Sequence, residues 1–138
     1  MRQDRAFSIG VLLKLLTMYE QEYQDLGTEM PINSIWSCMF LLLTCLGGIR
    51  GYEAVWTDLA VLIYDVDYCE NMDDYTSVSW PIVGRFKNHD GRAGCYMIPI
   101  AGVTDSGITF FTWTQRFLIA LGKEGLHEGW AFQRPNGS

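Results

Sequence analysis

Basic side chains are scarce in this sequence. Its 138 residues include 10 lysines and arginines against 16 aspartates and glutamates, so the formal net charge is −6 at pH 7. Proteins that bind nucleic acid over a whole surface depend largely on lysine and arginine side chains that release counterions from the phosphates. The composition therefore argues against nucleic-acid binding over a whole surface. It does not argue against a local basic pocket.

Closely paired cysteines are absent as well. No Cys-x-x-Cys pair occurs among the four cysteines, which are Cys38, Cys45, Cys69 and Cys95. Structural zinc sites normally use closely paired ligands, so we expect no metal and no cofactor. Three of the cysteines stand in apolar surroundings, which predicts buried, reduced thiols in an intracellular protein.

The sequence has no apolar run long enough to cross a bilayer. The most apolar window, residues 35–49, is shorter than the ~20 residues that a membrane-spanning helix needs, and it contains Ser37 and Thr44. The amino terminus, MRQDRAFSIG, is charged and no sustained apolar signal segment follows it. We therefore expect a buried helix in this window and no membrane partner.

Apolar residues are nevertheless abundant. They make up 49% of the chain, with 14% aromatic residues, which predicts a packed globular protein rather than a disordered one. The length suits one domain with a core of moderate size. Internal repeats and low-complexity tracts are absent, so we treat residues 1–138 as a single domain.

Hydrophobic spacing predicts four helices, at about 8–25, 34–46, 50–59 and 108–121. Ser8 is the candidate N-cap of the first helix, and Asn33 or Ser34 is that of the second. Gly47 and Gly48 should end the second helix.

Residues that favour strands predict three of them, at about 60–66, 81–87 and 94–101. The Asp90-Gly91 pair indicates a hairpin between the last two strands, with Lys87 beside the turn. The predicted fold class is α+β, mostly helical with a small antiparallel sheet formed by one strand and a hairpin.

One arginine lies in an otherwise uncharged stretch. Between Met39 and Gly51 the only charged residue is Arg50. Arg50 either caps a helix end and pairs with Glu53 at i, i+3, which is worth ~0.3 kcal/mol on an exposed helix, or is held there to bind an anion. The residues themselves leave both interpretations open.

The order of the elements and several motifs resemble the first part of the catalytic domain of tyrosine recombinases, the phage-integrase family. In that family a Gly-Leu-Arg turn opens a helix with an acidic residue three positions on, an aspartate precedes the first strand, and a hairpin carries a lysine. The residues at these places are Gly48, Ile49, Arg50, Glu53, Asp58 and Lys87. The segments GGIRGYEAVWTDL, VGRFKN and MIPIAGVTDSGI look most like integrase-like proteins of eukaryotic mobile elements.

The resemblance implies a role for each of these side chains. Arg50 would bind the scissile phosphate, because a planar guanidinium grips two phosphate oxygens. Lys87 would give a proton to the departing sugar hydroxyl. Glu53 and Asp58 would support these side chains without touching the DNA, and Glu53 would orient Arg50. The implied partner is DNA, broken and rejoined through a phosphotyrosyl intermediate without metal, at an intracellular location that is nuclear in a eukaryote.

The second half of the family's catalytic domain has no match in residues 1–138. Neither its His-x-x-Arg box nor its nucleophilic tyrosine is present, and His127 followed by Arg134 lacks the spacing of that box. We therefore expect an incomplete catalytic domain that does not cleave DNA alone. Apolar faces left bare by the missing helices would favour self-association.

Every one of these residues also has an ordinary interpretation. Lys87 can be read as a solvated residue beside a turn. Glu53 and Asp58 can be read as ordinary charges on a helix surface. The alternative function is a non-catalytic protein-interaction domain that uses exposed aromatic surface around Trp113 and Trp130. A small enzyme of another type has no nucleophile and base to support it.

Overall fold

The computed structural model describes residues 8–83 and 96–133. Its elements in chain order are the helices α1 (Ile9–Leu26), α2 (Ile32–Gly47), α3 (Gly51–Ala54) and α4 (Leu59–Asn71), the strands β1 (Ser77–Ile82) and β2 (Tyr96–Ala101), and the helix α5 (Phe110–Lys123). A 3₁₀ turn, Gly27–Glu29, joins α1 to α2. The predicted fold class, mostly helical α+β with a small antiparallel sheet, is confirmed.

The first two helices lie close to their predicted positions. The Ser8 hydroxyl accepts a hydrogen bond from the Val11 N–H, so the predicted N-cap of α1 is confirmed. Helix α2 begins earlier than predicted because Pro31 holds its N-cap position, which places Asn33 and Ser34 inside the first turn. The helix ends at Gly47, and its C-cap Gly48 has a φ of 66°, a conformation that favours glycine.

The predicted strand at 60–66 is wrong, because this segment belongs to α4. Asp58 caps the helix by accepting a hydrogen bond from the Val61 N–H at 3.1 Å. Leu59, Leu62 and Val66 are buried at i, i+3 and i+7, the spacing of one helix face. The cap and this periodicity outweigh the strand preference of the β-branched residues, which depends strongly on context.

The predicted helix at 50–59 is correspondingly shorter. It is reduced to the single turn of α3, and residues 55–58 form the connection to α4. The sheet of the described residues has two strands rather than three, since the first predicted strand is helical.

Strands β1 and β2 pair antiparallel, with Ser77 opposite Ala101 and Ile82 opposite Tyr96. Strand β1 starts four residues before the predicted strand at 81–87, and β2 covers the described part of the predicted strand at 94–101. The predicted turn at Asp90-Gly91 lies outside the described residues, and so does Lys87.

Aromatic side chains fill the core between β1 and α5. Trp80 is fully buried, with ring centroids 5.8 Å from Phe110 and 6.4 Å from Phe117. Phe117 in turn stacks on Phe132 at 5.0 Å. Trp113, predicted to be part of an exposed aromatic surface, is only 2% exposed, so that prediction is wrong. It lies on the buried face of α5 and meets the ring of Tyr23 edge-on.

A salt bridge joins α1 to α5. Arg116 donates to Glu20 through Nη1 at 2.6 Å and through Nη2 at 3.2 Å, and its guanidinium lies 3.9 Å from the centroid of the Tyr23 ring. The hydrogen bond from Arg116 holds the pKa of the Glu20 carboxyl below its usual value. The charge of Arg116 is therefore committed to the fold.

The cysteines are less buried than predicted. Cys38 is fully buried, and burial raises the pKa of its thiol. Cys45 is exposed near the end of α2 and Cys69 is half-buried near the end of α4, so the prediction of three buried thiols is wrong. These three described cysteines are free thiols, and Cys95 lies outside the described residues. None of the described helices has the length and apolar character to cross a membrane.

Candidate functional site

The connection between α3 and α4 is held from two sides. Asp58 donates its N–H to the Pro81 carbonyl and Trp56 accepts from the Val83 N–H, which joins the connection to the end of β1. On its other side, the backbone hydrogen bonds run to the segment 129–131, from Leu59 N–H to Gly129 and from Ala131 N–H to Thr57. Four backbone hydrogen bonds to two other parts of the chain thus fix the short stretch that follows Arg50.

A buried polar network fastens the same connection to the core. The Trp80 indole N–H donates to the Thr57 hydroxyl at 2.8 Å, and this hydroxyl donates to the Ala54 carbonyl at 2.7 Å. Trp80 and Thr57 are both 0% exposed. Because Ala54 ends α3, the network ties the turn that carries Arg50 to the centre of the fold.

Replacing Thr57 by valine should lower the free energy of unfolding by about 1–3 kcal/mol, because the shape is kept while the indole N–H of Trp80 loses its buried acceptor. Urea unfolding followed by circular dichroism measures this. Thr17→Val is the matched control, because Thr17 is exposed on α1 and its hydroxyl donates to the carbonyl of Leu13 in the same helix. Equal effects of the two substitutions would contradict the role given to Thr57.

Arg50 immediately precedes α3 with an extended backbone, φ −75° and ψ 154°. Its side chain is exposed, and Nη1 donates to the hydroxyl of Tyr52 at 3.2 Å. This hydrogen bond raises the pKa of Arg50. A guanidinium is charged at physiological pH in any case. The structure therefore presents a permanent positive charge at a defined point of the surface.

Glu53 acts on the main chain of Arg50. Its carboxylate Oε1 accepts from the Arg50 N–H at 3.1 Å, and its own N–H donates to the Arg50 carbonyl at 2.9 Å. This is the arrangement of a helix-capping residue. Glu53 thus positions Arg50 through the backbone, while Tyr52 contacts the guanidinium itself.

Asp58 does not precede a strand, as the resemblance implied, and it is more than a surface charge. It is the N-cap of α4, and its carboxylate bonds to the Val61 N–H at 3.1 Å. An aspartate that ends one connection and starts a helix satisfies a backbone donor that would otherwise lack a partner. Its role in the described part of the chain is to fix the direction in which α4 leaves the site.

We call three exposed aromatic residues the aromatic patch: Tyr52 of α3, Trp56 of the connection to α4 and Trp130 of the segment 129–131. Tyr52 is 53%, Trp56 45% and Trp130 39% exposed. The two tryptophan rings meet edge-on with centroids 5.2 Å apart. Sequence reasoning selected Trp130 but missed Tyr52 and Trp56. Their signal was proximity in the chain, since both follow Arg50 within six positions.

Lys87, the other catalytic residue predicted from the sequence, lies outside the described residues. Within residues 8–83 and 96–133, no three His, Cys, Asp or Glu side chains come together in a group that could hold a metal ion.

Comparisons with protein-family models, with curated proteins and with solved structures found no match to this chain. The resemblance to tyrosine recombinases therefore stays a prediction from the motifs.

Proposed function

We propose that this chain is the DNA-binding portion of a site-specific tyrosine recombinase or integrase, in which Arg50 binds the scissile phosphate. The observation that carries the proposal is the exposed guanidinium of Arg50, held at a fixed point by Tyr52 and by the capping contacts of Glu53. A positioned cation costs less ordering at the moment of binding than a free one.

The chemistry of the reaction suits this side chain. A phosphodiester under attack gains negative charge on its non-bridging oxygens, which a planar guanidinium can bind with two parallel hydrogen bonds. Tyr52 takes one of the five N–H donors of Arg50. An edge of two further donors is available for a phosphate.

A comparison of the basic side chains among the described residues singles out Arg50 as the candidate for phosphate binding. Four lysines and arginines lie among the described residues: Lys14, Arg50, Arg116 and Lys123. Arg116 pairs with Glu20 at 2.6 Å, and Lys123 lies 3.6 Å from Glu29. Lys14 and Arg50 are exposed, and Arg50 is the one that the fold positions through side-chain contacts.

Lys87 completes the proposal as the proton donor to the leaving sugar hydroxyl. The phosphotyrosyl chemistry would need a nucleophilic tyrosine and a His-x-x-Arg box, and residues 1–138 contain no match to either. We therefore expect this chain to bind DNA without cleaving it. An intracellular location, nuclear in a eukaryote, belongs to the same proposal.

Arg50→Ala should weaken binding of a fluorescent DNA duplex about tenfold at low salt, measured by fluorescence anisotropy, since a charged hydrogen-bonded contact to phosphate is lost. Arg50→Lys should recover only part of the affinity, because an ammonium lacks the two-pronged geometry. Lys87→Ala should weaken binding as well.

Lys14→Ala is the matched control, because it removes one exposed positive charge from α1, away from the α3 turn. Its DNA binding should stay close to that of the unmodified chain. The proposal is contradicted when Arg50→Ala and Lys14→Ala weaken binding to the same extent.

The alternative function is a non-catalytic protein-interaction domain, and the exposed Trp56–Trp130 pair favours it. Tryptophan and tyrosine are enriched where proteins bind each other, and the aromatic patch supplies three such side chains. A second copy of the chain is one partner it would accept. This function predicts DNA binding that is weak and unchanged in Arg50→Ala, together with concentration-dependent association that Trp56→Ser abolishes in analytical ultracentrifugation.

A further inference from the structure

A groove of about 490 Å³ separates α4 from α5. Helix α4 packs on β1, while α5 packs chiefly on α2, so the outer sides of α4 and α5 leave a trench between them. Its apolar lining consists of Ile63, Val66, Leu118, Ile119 and Leu126. Ile119 is 52% exposed, which leaves apolar surface within reach of a partner.

The groove is elongated. Its lining runs along α4 from Ile63 to Glu70 and along α5 from Thr112 to Gly122. At 1.5 Å per residue, the α5 wall is about 15 Å long, close to three turns of a helix. An elongated apolar trench between two helices is the shape that receives a third helix in many complexes.

Negative charge lines one wall of the groove. Asp67 and Glu70 lie there at i, i+3 on α4, and Gln115 of α5 donates to Glu70 at 2.7 Å. On the facing side Arg116 is held by Glu20, and His127 is the remaining titratable group of the lining. The segment 51–83 as a whole carries seven carboxylates and no lysine or arginine.

We propose that this groove binds a basic amphipathic helix of a partner protein. The apolar face of that helix packs on Ile63, Leu118 and Ile119, and its lysines or arginines lie against Asp67 and Glu70. Charge complementarity selects a basic partner, since the surrounding surface repels an acidic one. The site shares no residue with Arg50 or the aromatic patch, so it is independent of the proposed DNA function.

The probe for this proposal is a fluorescein-labelled synthetic peptide of repeated Leu-Lys-Lys-Leu-Leu-Lys-Leu units, titrated with the full chain and read by fluorescence anisotropy. The double substitution Asp67→Lys, Glu70→Lys should weaken binding at least about tenfold, because it turns an attractive wall into a repulsive one. Ile119→Ser should weaken binding by a factor of about three to ten, and this loss should persist at high salt.

The matched control is Asp25→Lys, Asp105→Lys, which makes the same change in net charge at exposed positions on α1 and in the loop before α5. It should leave peptide binding nearly unchanged, and all variants should keep the melting temperature of the unmodified chain. Equal losses in the two double variants would show attraction to net charge alone and overturn the proposal. Unchanged binding in Ile119→Ser would overturn it too.

Discussion

Trp80→Ala should lower the free energy of unfolding by about 3–5 kcal/mol, the usual cost of removing a large aromatic side chain from a core. Trp80 is fully buried between Phe110 and Phe117, and its indole N–H is hydrogen-bonded to Thr57. The substitution therefore removes packing and leaves the polar network without its donor. The measurement is urea unfolding of the full chain.

Trp130→Ala is the matched control, because it removes the same type of side chain from the surface instead of the core. Trp130 is 39% exposed and meets Trp56 edge-on, so its loss should cost about 1 kcal/mol. Because single domains have only about 5–15 kcal/mol of stability, Trp80→Phe provides a milder variant that keeps an aromatic ring without the N–H. The account fails if Trp80→Ala destabilises no more than Trp130→Ala.

Gly102→Ala should destabilise the protein by about 3 kcal/mol, because its new methyl group would overlap the main chain of a neighbouring segment. A Cβ at this position would lie 2.0 Å from the carbonyl oxygen of Tyr75. Gly102 also donates to the Thr76 carbonyl at 2.8 Å and accepts from the Phe111 N–H at 2.9 Å. The main chain of residues 75–76, just before β1, would have to move away.

Gly51→Ala is the control for this prediction. Outside the backbone of its own helix and its chain neighbours, no heavy atom of the described residues would lie within 4 Å of a Cβ at Gly51, which is the first residue of α3. Alanine there should leave the midpoint of thermal unfolding unchanged or slightly higher, because the unfolded chain loses conformational freedom. If both glycines tolerate alanine equally, the close approach at Gly102 is not a feature of the folded protein.

Much of the fold was predictable because local signals and tertiary packing agree. Helices α1, α2 and α5 carry their apolar residues at helical spacing, and each lies within a few residues of its predicted range. The fold class followed from these helices together with the predicted strand at 94–101, which corresponds to β2.

Helix α4 was missed because its residue types and its spacing disagree. Segment AVLIYDV is rich in β-branched and aromatic residues, while Asp58, Leu59, Leu62 and Val66 follow the pattern of a capped helix. The family resemblance implied that Asp58 precedes a strand. Its role as the N-cap of a helix was therefore missed. Burial on β1 decides in favour of the helix.

The surroundings of Arg50 were only partly predictable. Its spacing to Glu53 indicated an interaction, but a side-chain pair and a backbone cap have the same i, i+3 spacing. The contact of Arg50 with Tyr52 is local, two positions along the chain, whereas the position of Trp130 depends on the segment 129–131, which reaches the connection between α3 and α4 from a distant part of the chain. Such long-range placement is not encoded in any local pattern.

The most direct test of the central claim is the salt dependence of DNA binding by the unmodified chain and by Arg50→Ala. Each phosphate contact adds about 0.9 to the slope of log K against log salt concentration for duplex DNA. If Arg50 binds a phosphate, the slope should fall by about one contact in Arg50→Ala and stay unchanged in Lys14→Ala. Identical slopes for Arg50→Ala and the unmodified chain would show that Arg50 contacts no phosphate.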